Sequence, residues 1–349
     1  MGVTMVSRSA VPAKAEVSNL LKLLGPVCAE LNRVEEVLAE QVHSGFAPGV
    51  TDYIRYVLGG TGKRLRPALA LLAAGATGRI DEGHITLGVI VELIHVATLV
   101  HDDILDEAQL RHGHPTSNWR WGSEISVLLG DCLFAHSLRL AAAYPTTIVC
   151  RRISEATNTV CSGEILQTQR RFDLDLALEQ YLDIINMKTG ALFAVSCELG
   201  ALLNAAPVKV VKSLHEFGSN LGIAYQIYDD CLDIFGQERQ AGKSLGTDVK
   251  KGKLTLPYLL LLQHAGASSR QELGEMIFRD EPSARTKLLS LVMGNGVMTE
   301  SLLTIDKYIA QAEANLADLP SNVYSKTLSD LLGFIAGKSK LLLKEEIAA

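Results

Sequence analysis

Apolar residues recur at three- and four-residue intervals along almost the whole chain, and no run of alternating apolar and polar positions marks a β-strand. That period predicts helices over 17–42, 51–58, 64–77, 82–109, 118–143, 147–172, 176–187, 189–204 and 207–236. Four more follow at 255–265, 269–279, 283–294 and 297–347, the last interrupted at Leu319-Pro320, where proline removes a backbone donor. Turn chemistry punctuates the pattern at Gly59-Gly60, between Gly75 and Gly78, from Gly113 to Pro115, and at Tyr144-Pro145 and Ala206-Pro207. No repeat or low-complexity linker divides the chain. The expectation is therefore one all-α domain over 1–349, a large helical bundle around a central apolar cavity, with 1–16 as a frayed terminus.

Composition narrows this picture in three ways. The 349 residues are 48% hydrophobic but only 5% aromatic, a mix that favours helix over sheet and supplies a sizeable core. The net charge of −6 offers no basic field for nucleic acid, so an anionic ligand must be held by local cations or by metal. Six cysteines without a CxxC pair (Cys28, Cys132, Cys150, Cys161, Cys197 and Cys231) indicate buried thiols in a reducing, cytoplasmic compartment. The N-terminus lacks the apolar core of a signal peptide. The longest apolar run, Ile85 to Val100, contains Glu92 and His95 and falls short of a bilayer span, which predicts a core helix and no transmembrane segment.

Against that greasy background, carboxylates are concentrated twice. "LVHDDILDEAQLRHGHP" carries Asp102, Asp103 and Asp106, and "YQIYDDCLDIFG" carries Asp229, Asp230 and Asp233 in the same DDxxD spacing. Positions i and i+4 share one helix face, so each cluster puts like charges together near a predicted helix C-terminus, where cations are favoured. A solvated acidic face is the ordinary home of such clusters. Here the flanks are apolar, and unpaired carboxylates would be costly. Oxygen ligands without His or Cys suit Mg²⁺, which shares its shell with waters and phosphate oxygens.

Taken together with "GKRLRP", "LIHVATLVHDDILD", "KTG", "GIAYQIYDDCLD" and "GKSLGTDVKKGKLTLP", in that order from about Gly59 to Pro257, the chain resembles the trans-type isoprenyl diphosphate synthases, in their polyprenyl branch. The resemblance implies an isoprenoid-synthase bundle, a homodimer, and Mg²⁺-dependent head-to-tail condensation of isopentenyl diphosphate with an allylic diphosphate. Up to three Mg²⁺ ions, bridged by diphosphate, would sit on the six aspartates. Lys63, Arg66 and His95 would bind the isopentenyl diphosphate, and Arg111 the allylic one. Lys188, Thr189 and Gln226 would lie near the leaving group, with Lys243 and Lys253 neutralising diphosphate charge. One letter departs from the pattern. His112 stands where the family has a second arginine, and it reads either as a weaker, pH-dependent contact or as a surface residue.

Product length should be set along the helix that carries Asp102. Ala97 lies five residues earlier, about 7.5 Å along the axis. Ala97 and Thr98 leave open the level that short-chain relatives block with aromatics; Ile94 narrows the next turn, and Phe134 faces it from the following helix. The expectation is an all-trans product of roughly C25–C50. Ala97 as an ordinary helix alanine, and hence a short-chain farnesyl or geranylgeranyl diphosphate synthase, is the alternative. A class I terpene cyclase is disfavoured because the second motif is DDxxD, and a non-catalytic prenyltransferase subunit because both motifs are intact.

Overall fold

A computed structural model describes residues 14–60, 62–111, 113–236, 246–279 and 281–344. The first predicted helix is two: α1 (Lys14–Leu23) and α2 (Cys28–Ser44), separated where Gly25-Pro26 forces a single 3₁₀ turn. Next come α3 (Thr51–Leu58), α4 (Leu65–Thr77) and α5 (Glu82–Leu105). The segment predicted as 118–143 is also two helices, α6 (Ser117–Trp121) and α7 (Ser123–Ala142), because Gly122 takes φ +85° between them. Then follow α8 (Thr147–Gln169), α9 (Leu178–Ile185), α10 (Ala191–Leu203) and α11 (Val208–Phe235). The last five are α12 (Leu256–His264), α13 (Ala267–Phe278), α14 (Pro282–Gly294), α15 (Val297–Asn315) and α16 (Val323–Lys344). The expected all-α bundle is what forms, and its final break falls at Leu319-Pro320 as the proline requires.

Two departures bear on the site. The helix expected to reach residue 109 stops at Leu105, and the chain turns back through a two-residue hairpin, Leu110–Arg111 against His114–Pro115. Gly113, at φ +80°, makes that turn, so the expectation of no strand is corrected by this short pair. The break expected near residue 188 is a π-helical turn, Asn186–Gly190, which joins α9 to α10 without a loop.

The middle of the bundle is α4, α5, α10 and α11, each packed on its neighbour. Every residue of α4 from Pro67 to Ala76 is buried. The buried leucines there are worth roughly 1.5–3 kcal/mol each relative to exposure. By length and composition α5 and α7 are apolar enough to cross a membrane; 72% of the most apolar stretch of α5 is buried inside the fold, against 39% for α7. Helix α5 is therefore a core element, and α7 keeps an uncovered apolar face. A buried cluster containing Ile90, Ile94, Ala141, Ile153 and Leu192 lies between α5, α7, α8 and α10.

Candidate active site

Helix α5 is fixed at both ends. At its start the Asp81 carboxylate accepts from the backbone N–H groups of Gly83 and His84, closing a capping box. At its end Asp106 is the C-cap, and its N–H donates to the Asp102 carbonyl. The three aspartates meet different partners. Arg111, delivered by the hairpin, forks onto Asp103, with Nη2 2.8 Å and Nε 3.0 Å from Oδ1. Burial raises the Asp103 carboxyl pKa above the ordinary range, and Arg111 only partly offsets it. Burial opposes the charge on Arg111 too, but the hydrogen bond to Asp103 and the surrounding aspartates hold its guanidinium above the usual value.

Asp106 is the most heavily countered of the three. Lys253 Nζ donates to both its oxygens at 2.9 and 3.0 Å, Lys251 lies at 3.2 Å and Arg171 at 3.3 Å. Against the cost of burial, Lys253 and then Lys251 hold its carboxyl below the ordinary value. Asp102 goes the other way, pushed up to about 6 by burial and by the neighbouring Glu164.

The loop bearing Lys251 and Lys253 is held by backbone geometry. Gly252 has φ +76°, and a Cβ there would meet the Phe172 ring at 2.6 Å. The Phe172 N–H donates to the Gly252 carbonyl at 2.8 Å. Only glycine fits both conditions.

The second cluster ends α11. Asp230 is buried and accepts from the Tyr181 hydroxyl at 2.6 Å and from the Gln226 amide at 2.9 Å. Gln226 in turn accepts from the Thr189 hydroxyl at 2.8 Å, so a hydrogen-bonded string runs Thr189–Gln226–Asp230–Tyr181. Burial, reinforced by Asp248, pushes the Asp230 carboxyl up to about 8. Asp233 is buried beside it and Asp229 is partly exposed.

Thr189 and Lys188 ride on the π turn, whose extra residue per turn re-aims the side chains there. The turn is clamped from both sides. A Cβ on Gly163 of α8 would meet the Met187 Cβ at 2.8 Å, and one on Gly222 of α11 the Gly190 Cα at 2.7 Å. From this fixed backbone Lys188 reaches α8, where Nζ donates to Gln167 Oε1 at 2.5 Å and pairs with Glu164.

The "GKRLRP" cations separate into two roles. Arg64 adopts φ +47° at the start of α4 and turns inward, its Nε and Nη1 each 2.5 Å from a carboxylate, Glu35 and the buried Glu92. It braces α2 and α5. Arg66 lies over the Phe193 ring, 4.9 Å from its centroid, and its Nε is buried with no hydrogen-bond partner among the described residues. Burial pulls its guanidinium down to about 10, still charged at neutral pH. His95 stays neutral: burial and the cations Arg66, Arg111 and Arg64 hold its pKa well below the ordinary value. Lys63 lines a cavity of about 30 Å³ with Tyr225, Tyr228, Phe334 and Lys338.

Beneath Asp102, Ala97 and Ile94 are fully buried, and Thr98 donates its hydroxyl to the His95 carbonyl. Phe134 of α7 packs 5.7 Å from the His101 ring. His112 and Lys243 lie outside the described residues.

The donor set suits a hard divalent cation: six carboxylates and no thiolate or imidazole. Asp102 and Asp230, raised to about 6 and about 8, are carboxyls whose full ionisation calls for a cation in reach. Among the described residues, no three His, Cys, Asp or Glu side chains converge on one point. Five residues at the site were not singled out from sequence: Glu164, Gln167, Arg171, Tyr181 and Lys251. Glu164, Gln167, Arg171 and Tyr181 belong to no motif in the sequence, and only the dense "DVKKGK" run points to Lys251.

Residues 48–292 match the sequence pattern of the family described as polyprenyl synthetase. Heptaprenyl diphosphate synthase component 2 of Geobacillus stearothermophilus is 36% identical over 314 residues, covering 88% of this chain and 95% of that protein. The crystal structure of a decaprenyl diphosphate synthase from Rhodobacter capsulatus superposes with a TM-score of 0.85 at 31% identity, covering 91% and 98% of the two chains. A polyprenyl synthase from Caulobacter crescentus CB15, solved with calcium and isoprenyl diphosphate, gives 0.83 at 32% identity over 92% and 97%.

Proposed function

The chain belongs to the polyprenyl synthetase family, and on that premise we propose that its two aspartate clusters are the facing halves of one diphosphate-handling site. The enzyme is a prenyltransferase that condenses isopentenyl diphosphate with an allylic diphosphate, and its product is an all-trans polyprenyl diphosphate in the C25–C50 range. The observation that carries the site reading is the meeting of Arg111 with Asp103 and of Lys253 with Asp106 at the end of α5, with the charge of Lys188 acting on Asp102 beside them. The relative solved with calcium supports use of a divalent cation. Mg²⁺ held by Asp102, Asp103, Asp106, Asp229, Asp230 and Asp233 would supply positive charge to the departing pyrophosphate.

The chain's own residues do the rest. Arg111, Lys188 and Lys253 bind the allylic diphosphate and stabilise charge as its C–O bond breaks. Arg66, with its unsatisfied Nε, and Lys63 hold the isopentenyl diphosphate, while neutral His95 offers an N–H without adding charge. The Thr189–Gln226 pair orients the leaving group. The double bond of isopentenyl diphosphate attacks the allylic cation, and the proton then lost passes to the released pyrophosphate. The apolar cluster around Ile94 and Leu192 excludes water that would quench the cation. The growing chain follows α5 past Ala97.

A homodimer fits the uncovered side of α7 and α8, where Leu128 and Ile165 are 59% and 60% exposed. The relative named as a component favours a second reading, in which a different chain covers that face. Labelled isopentenyl diphosphate, Mg²⁺ and each of the C5 to C20 allylic starters, followed by chromatography of the dephosphorylated products, tests the activity. No condensation with any starter would overturn it. Light scattering of the purified chain, showing a dimer or a monomer, decides between the two covers.

A further inference from the structure

The interaction that prenyl transfer itself does not call for is the carboxylate on Lys188. Glu164 and Gln167 stand three residues apart on α8, on one face, and both engage the Lys188 ammonium. Lys188 and Glu164 keep only 18% and 17% of their side-chain surface exposed, so this is a partly desolvated pair. It cannot drift, because the close approach of Gly163 to Met187 and of Gly222 to Gly190 fixes the backbone from which Lys188 springs. The charge of Glu164 also reaches Asp102, whose carboxyl it helps to push up, while Lys188 acts in the opposite sense. The ammonium is thus paired with a carboxylate outside the aspartate clusters, while its charge still acts on one inside them.

We propose that Glu164 is a positioning residue that stands in for diphosphate on Lys188 between turnovers and recaptures the ammonium when pyrophosphate leaves. A lysine that serves a diphosphate must give up its resident anion to the substrate and let the product go afterwards. A charge-assisted bond to pyrophosphate is strong, and release of a multiply charged product can limit turnover. Glu164 competes for the same donor, so it weakens binding of the anion and speeds its departure. Gln167 is neutral and can keep one Lys188 N–H in either state, which preserves the aim of the side chain while the anion changes. This inference rests on the prenyl-transfer reading of the site.

The test is titration of inorganic pyrophosphate with Mg²⁺ into the full chain by calorimetry, alongside steady-state kinetics. Glu164→Gln should bind pyrophosphate roughly three- to tenfold more tightly, with both kcat and the KM for the allylic diphosphate falling. Glu164→Asp should return part of the way. On a Lys188→Gln background the Glu164→Gln change should have no effect on pyrophosphate affinity. If Glu164→Gln fails to fold, Gln167→Glu serves with opposite sign, since a second carboxylate on Lys188 should weaken pyrophosphate binding. Unchanged or weaker binding in Glu164→Gln, a gain that persists without Lys188, or unchanged binding in Gln167→Glu would overturn the proposal. A wild-type chain that binds pyrophosphate but condenses no prenyl substrates would instead overturn the prenyl-transfer reading.

Discussion

Arg64 and Arg66 sit two residues apart in one basic motif, yet the structure assigns them opposite kinds of work, and that difference is measurable. Arg64 is 16% exposed and serves Glu92, a carboxylate only 3% exposed, as well as Glu35, which is 46% exposed. The Glu35 arm is solvent-screened and contributes at most about 1 kcal/mol. Removing the partner of a buried carboxylate costs about 3–5 kcal/mol, and the nearby charge of Arg66 trims this towards the lower figure. Arg64→Ala should therefore lower unfolding stability by about 3 kcal/mol and leave the KM for isopentenyl diphosphate within a factor of about three. Arg64→Gly should recover about 1 kcal/mol of that loss, because φ +47° costs a residue with a Cβ and not glycine. Arg66 behaves in reverse. Its guanidinium is desolvated, pulled down to about 10, and has an orphaned Nε, so Arg66→Met should leave stability unchanged or raise it by about 1–3 kcal/mol. The same change should raise the KM for isopentenyl diphosphate at least about tenfold, the loss of one charged contact. Urea midpoints at constant slope, paired with kinetics at saturating allylic substrate, read both effects. A stable Arg64→Ala protein with a large rise in KM would refute the division of roles.

Ala97→Phe should shorten the product distribution on chromatography, and an unchanged distribution would remove Ala97 from the path of the growing chain. Gly252→Ala forces a Cβ onto the Phe172 ring at φ +76°, so it should displace Lys253 and lower kcat at least about tenfold, measured at saturating Mg²⁺ and substrates. His136 is buried, and burial with Arg139 nearby holds its pKa at about 4, so below about 6.5 the unfolded chain takes up a proton that the native one refuses. Its contribution is constant above that pH and is lost as the pH falls towards 4. The stability advantage of wild type over His136→Gln should shrink by about 2 kcal/mol between pH 6.5 and 5, and a gap that stays constant would contradict the assignment.

Much of this was legible in the chain because helical periodicity is a strong signal over long apolar segments. The span expected at 207–236 is α11 within a residue at each end, and the break at Leu319-Pro320 falls where proline demands it. The two DDxxD runs stood out because charge is conspicuous among leucines. Features made by one residue were harder to see. The π turn at Asn186–Gly190 adds a single residue to a helix, which a 3.6-residue period cannot resolve, so it read as a gap between two helices. The end of α5 at Leu105 depends on the positive φ of Glu107 and on a hairpin too short to alternate. Composition could not tell Arg64 from Arg66, since what separates them is the left-handed backbone from which Arg64 reaches Glu35 and Glu92. Glu164, Gln167, Arg171 and Tyr181 matter through partners 21 to 65 positions away, and no local pattern carries that information.

Helix α5, locked by a capping box at Asp81 and by ionic contacts at Asp106, is a ruler that cannot slide. Its zero mark is Asp102, where chemistry happens, and its graduations are Ala97, Ile94 and Ile90, about 7.5, 12 and 18 Å below it along the axis. A substitution that only narrows a graduation leaves the scale intact, whereas one that frees either end shifts every mark together. Product length in this enzyme should therefore change in steps when single positions on α5 are filled, and should broaden into a mixture when the Asp81 cap is removed.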